Sequence, residues 1–121
     1  MIGTLKVFAL DCPDPVALAG FYAGLVGGTV AVDESDSDWV ELEGHNGATL
    51  AFQRVPDYRA PAWPGQDQPQ QSHIDVGVAD LDAAQAQVLA LGATLLEDWS
   101  GSKNWRVFAD PVGHPFCLCA C

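Results

Sequence analysis

Two short stretches carry most of the residues that could do chemistry. In the first, His73 and Asp75 alternate with Ile74, Val76 and Val78. On a strand, that spacing puts the imidazole and the carboxylate on one face and the aliphatic groups on the other. In the second, Cys117, Cys119 and Cys121 alternate within the last five residues and so also share a face. Imidazole, carboxylate and thiol can serve as general base, general acid, nucleophile or metal ligand. Asp11 stands at a comparable place near the start of the chain, and two facing carboxylates can divide acid and base roles if their surroundings separate their pKa values. His45 and His114 lie beside Gly47 and Gly113 in turn-like contexts, which suits surface or turn roles.

The elements that must position these groups follow from a repeat. Shifted by 66 residues, the chain matches Asp14 with Asp80, Leu25 with Leu91, Trp39 with Trp105 and Gly47 with Gly113. In the first copy, residues 4–10 read as an apolar strand. Asp14-Pro15 then reads as an N-cap with proline at the first helical position, and Gly27-Gly28 as the stop. Leu18, Phe21, Tyr22 and Leu25 make one apolar stripe. In the second copy Asp80 caps a helix carrying Leu81, Ala84, Val88 and Leu91, ended by Gly92. Three strands follow each helix: 29–32, 38–43 and 49–54, then 93–96, 105–109 and 116–120. The result is an α+β fold of two βαβββ units, residues 3–54 and 72–121. They are joined by a connector, 55–71, whose four prolines favour an extended path. Tyr58 and Trp63 are large groups to leave in water, so the connector is expected to pack on the domain or on a partner subunit.

Composition sets the limits. The 121 residues are 49% hydrophobic and 17% charged, enough for a real core in one domain. Sixteen acidic against five basic residues give a net charge of −11, which repels phosphate backbones and anionic lipid. Nucleic-acid and membrane partners are therefore not expected, no apolar run approaches the roughly 20 residues of a membrane span, and the start lacks a signal-peptide pattern. A cytoplasmic protein with reduced cysteines is the expectation. The acidic run Asp33, Glu34, Asp36, Asp38 reads as a solvated turn.

Paired βαβββ units with aspartate-capped helices resemble the vicinal oxygen chelate superfamily, which includes glyoxalase I, bleomycin-resistance proteins and extradiol dioxygenases. The carrying segments are Asp11-Cys12-Pro13-Asp14-Pro15 leading to Phe21-Tyr22, His73-Ile74-Asp75-Val76 leading to Asp80-Leu81-Asp82, and Asp110-Pro111-Val112-Gly113-His114-Pro115-Phe116. The resemblance covers nearly the whole chain and is closest to bacterial glyoxalase-like proteins. It implies two curved sheets facing a central pocket, and a homodimer. Alternation then turns Val7, Ala9, Asp11, Ala51 and Gln53 toward the pocket in one unit, and His73, Asp75, Gly77, Cys117 and Cys119 in the other. Phe8, Leu10, Leu50, Phe52, Phe116 and Leu118 pack on the helices.

Metal-dependent members place ligands on the first and last strand of each unit, commonly histidine or glutamine and then glutamate. Here His73 matches, but Val7, Ala51 (or Gln53) and Cys117 stand at the other places, so the standard metal centre is expected to be lost and no cofactor is implied. Three readings of His73 stay open: a pocket-lining hydrogen-bonding residue, a zinc-type ligand with Cys117 and Gln53, or a catalytic base working with Asp75 or Cys117. Trp39 and Trp105 are candidates to wall the pocket against a flat ligand. The expected function is binding of an unidentified small molecule by Val7, Asp11, Trp39, Ala51, Gln53, His73, Trp105 and Cys117. The alternative is a lyase or isomerase acting on a small carbonyl compound. A strongly anionic ligand is disfavoured by the charge, with Arg54, Arg59 and Arg106 as local exceptions.

Overall fold

A computed structural model describes residues 1–120 of the chain; Cys121, one of the expected thiols, lies outside the described residues. The chain divides into two compact units, Met1–Tyr58 and Arg59–Cys121. The division falls inside the expected connector, so most of that segment belongs to the second unit. Each unit is a βαβββ module with a four-stranded mixed sheet.

In the first unit, β1 (Phe8–Cys12) is followed by α1 (Pro15–Val26), β2 (Thr29–Asp33), β3 (Asp36–Glu43) and β4 (Leu50–Arg54), in sheet order β1-β4-β3-β2. The Asp14 side chain accepts from the Ala17 amide at 3.2 Å, satisfying one orphan donor of the first turn. Gly27, at φ 81°, stops the helix in a conformation that costs a glycine little. Leu18, Ala19, Phe21 and Tyr22 are buried against Leu10, Cys12, Val40, Leu42, Leu50 and Phe52, and Tyr22 stacks on Phe52 with centroids 5.6 Å apart. Two expectations are corrected. β1 starts at Phe8, so residues 4–7 are not strand and Val7 precedes the sheet. Phe8 is 36% exposed, and its core place is taken by Cys12 on the same face. The acidic run forms the β2–β3 turn, where Asp33 Oδ1 accepts from the Ser35 amide and hydroxyl.

The second unit repeats the plan: β5 (Ile74–Gly77), α2 (Leu81–Ala90), β6 (Thr94–Glu97), β7 (Trp105–Ala109) and β8 (Pro115–Cys119), in order β5-β8-β7-β6. Asp80 caps α2 by accepting from Asp82 and Ala83 amides. The helix buries only Val88, and Leu91 of the expected stripe is 42% exposed. Polar contacts supplement this weak packing. Arg106 reaches from β7 to α2, donating to Gln85 Oε1 and Asp82 Oδ1, both at 2.8 Å. Beneath, Phe108 stacks on Phe116 across the β7–β8 pair. Among the described residues no helix is long and apolar enough to cross a membrane.

Candidate functional site

The second unit's open sheet face collects the residues singled out by alternation. His73 immediately precedes β5, and Asp75 follows two residues later on the same side. Parallel pairing sets Asp75 directly opposite Cys117, while antiparallel pairing sets Val107 beside Cys117 and Trp105 beside Cys119. His73 Nε2 lies 3.3 Å from Asp75 Oδ1, with both side chains substantially open to solvent. The buried Cys117 thiol completes the group: one ligand-type atom from each of the three lies within 4.8 Å of the others.

This arrangement restrains the thiol. Burial, then the Asp75 charge, then the hydrogen bond to Asp75 push Cys117 from 9.0 up to about 11. At neutral pH it is a protonated donor rather than a nucleophilic thiolate. Cys12 is raised to about 11 as well, by burial first and then by Asp14 and Asp11. Cys12 and Cys117 are free, but Cys119 is disulfide-bonded, which corrects the expectation of reduced thiols at that position.

Two cavities open on this face and share His73, Trp105 and Cys117 as walls. One, about 210 Å³, adds Asp75 and Cys119. The other, about 240 Å³, is walled by Trp63, Trp99 and Trp105, with Gln70, Val107 and Pro115 completing it. Trp99 and Trp105 meet edge to face with centroids 5.3 Å apart. Trp99 and the adjacent Ser100 sit at φ 49° and 54°, left-handed backbone that a bulky residue adopts only at a cost. Carboxylates hold the loop there: Glu97 Oε2 accepts from the Trp99 amide and Asp98 Oδ1 from the Ser100 amide, both at 2.9 Å. The ammonium of Lys103 lies 5.2 Å from the Trp105 ring centre.

Sequence reasoning found His73, Asp75, Trp105 and Cys117, and the structure brings them together. It missed Trp63, Trp99 and Gln70. In the sequence Trp63 reads only as a large group needing cover, and Trp99 lies in a turn with no periodicity to mark it. Of the first-unit candidates, Asp11 and Trp39 both pair with Gln53 across neighbouring strands, and Ala51 is buried beside them on β4. Trp39 Nε1 donates to Glu41 Oε1 at 3.3 Å. Arg54 donates to Asp38 and to the Pro13 carbonyl, and Arg106 is engaged on α2, so two of the three arginines expected as local anion contacts are committed elsewhere.

The His73–Asp75–Cys117 set offers nitrogen, oxygen and sulfur together, a combination that fits zinc better than magnesium or manganese. A bound ion there would supply Lewis-acid polarisation of a ligand oxygen.

The comparisons agree with this architecture. The profile of the glyoxalase-like domain matches residues 7–119, and the chain belongs to that family. It is similar to the fosfomycin resistance protein FosX from Mesorhizobium loti, at 15% identity and TM-score 0.72, covering 100% of this chain and 94% of that one. It is also similar to hypothetical protein SA1046 from Staphylococcus aureus, at 20% identity and TM-score 0.71, covering 100% and 99%. A glyoxalase/bleomycin resistance protein/dioxygenase family enzyme from Burkholderia phytofirmans PsJN aligns at 15% identity and TM-score 0.67, covering 93% and 94%. Identities this low speak for the fold alone, since one fold hosts many chemistries. No curated protein matches the chain.

Proposed function

We propose that this protein binds and holds a small, flat organic molecule on the open sheet face of its second unit, without the family's standard metal centre. One observation carries the reading. Trp99 is held in costly left-handed backbone, and its ring meets Trp105 as a wall of a cavity that Trp63 also lines. Strain of this kind persists where the surroundings enforce it, and it concentrates at ligand sites. Indole-walled cavities of a few hundred Å³ suit planar ligands, with a few polar groups fixing orientation. His73, Asp75 and Cys117 are those groups here. The acidic surroundings favour a neutral or cationic ligand. On the family resemblance, the protein is read as a homodimer.

Calorimetric titration with indole tests this. Wild type is expected to bind with a dissociation constant of roughly millimolar order, as suits so small a ligand. Trp99→Ala and Trp105→Ala are expected to weaken binding about tenfold or more. Unchanged affinity in both variants removes the reading.

A second reading, a lyase or isomerase on a small carbonyl compound, is favoured by the 3.3 Å approach of His73 Nε2 to Asp75 Oδ1, which would orient the imidazole as a base. Turnover of a carbonyl substrate lost in His73→Ala would move the assignment there.

A further inference from the structure

Three of the chain's four tryptophans line one cavity of about 240 Å³. Trp63, Trp99 and Trp105 are each half-buried, so part of every indole stays open. Trp63 is brought there by a loop that the Ala62 amide closes, donating to the Gln68 carbonyl at 2.7 Å. Indole faces carry the negative side of the ring quadrupole and attract cations, more strongly once water is excluded. The chain itself uses that attraction: the Lys103 ammonium lies 5.2 Å from the centre of the Trp105 ring.

Formal charge points the same way. Glu97 and Asp98 hold the Trp99 and Ser100 amides with their carboxylates. Asp75 lines the adjoining cavity, which shares His73, Trp105 and Cys117 with the first. Its side chain is 65% exposed, so a ligand spanning the shared wall reaches it.

We propose that the ligand is a flat aromatic cation, an N-alkylpyridinium or a related ring with a permanent positive charge, bound by the three tryptophans with Asp75 as its counter-ion. This rests on the binding function proposed above and names the class of compound bound. Lys103, exposed beside the Trp105 ring, is a resident competitor that such a ligand displaces. A neutral ring of the same shape fills the cavity but gains neither the attraction of the indole faces nor that of the carboxylate.

N-methylpyridinium and toluene match in shape and size and differ in a cationic ring nitrogen replacing a carbon, so the pair isolates the charge. Both are titrated into the full-length protein and followed by NMR at the indole N–H signals. Salt of about 0.15 M screens the exposed acidic surface. Wild type is expected to prefer the cation about tenfold. Asp75→Asn is expected to weaken cation binding about threefold, and Lys103→Met to strengthen it about as much. Toluene affinity is expected to be unchanged in both variants, which certifies the cavity. Equal affinities in wild type, or a preference that either substitution leaves unmoved, overturn the cationic ligand and leave the cavity as a binding site. Failure of both compounds to bind wild type overturns the cationic ligand and the binding function together.

Discussion

Asp75 stands directly opposite Cys117 across the parallel β5–β8 pair, and its carboxylate accepts the thiol's hydrogen bond while repelling the thiolate. A carboxylate so placed keeps the sulfur protonated, although His73 is close enough to belong to the same cluster. Alkylation of Cys117 by iodoacetamide is therefore expected to be slow at neutral pH and to rise as the pH approaches about 11. Asp75→Asn removes the repelling charge, so labelling at Cys117 accelerates severalfold while Cys12 is unchanged. Peptide mapping by mass spectrometry separates the two sites. Rapid labelling of wild-type Cys117 at neutral pH would favour a nucleophilic thiolate instead.

The same shifts make stability depend on pH. Both free thiols rise from 9.0 to about 11 on folding, so the folded state prefers the protonated form. Their stabilising contribution is complete below about pH 9 and declines as pH rises through about 11. Urea unfolding across that interval is expected to show falling stability, with a shallower decline in Asp75→Asn. An identical slope in the two proteins would remove Cys117 from the effect.

Gly113 holds the connector against the sheet. Alanine there combines a left-handed φ of 98° with a 2.6 Å approach to the Ala60 Cβ. Gly113→Ala is expected to cost about 1–3 kcal/mol, measured by urea unfolding, and to weaken indole binding by shifting the segment that carries Trp63 and Gln70. Wild-type stability in this variant would show that the connector gives way freely.

The donor set bears on metals. Manganese favours oxygen-rich sites, whereas His73, Asp75 and Cys117 offer a single carboxylate. Equimolar protein is expected to leave the electron paramagnetic resonance signal of free Mn²⁺ undiminished. Stoichiometric loss of that signal, restored by His73→Ala, would establish a hard-ion centre and contradict the proposed function.

Much of this was legible in the residues. The 66-residue repeat placed both N-caps at Asp14 and Asp80, and both helices begin there. Alternation also turned His73, Asp75 and Cys117 toward one pocket, because a period of two survives any uncertainty in strand ends, and the repeat marked Trp105 as a candidate wall. What it could not supply was register: that Asp75 meets Cys117 depends on a parallel pairing set by distant packing. Trp63, Trp99 and Gln70 escaped for a different reason. They lie in irregular segments, where the Ala62–Gln68 closure and the carboxylate-held backbone at Trp99 decide direction, and no periodicity records either. The β1 boundary was misplaced because residues 4–7 have strand-like composition without a partner strand.

Shift mapping shows whether the tryptophan-walled face of the second unit is a ligand site. Isotope-labelled protein is titrated with indole while backbone and indole N–H signals are followed. Saturable shifts are expected at Trp63, Trp99, Trp105 and Gln70. Absence of saturation there, or shifts gathered instead around the first-unit cavity at Arg54 and Tyr58, would contradict it.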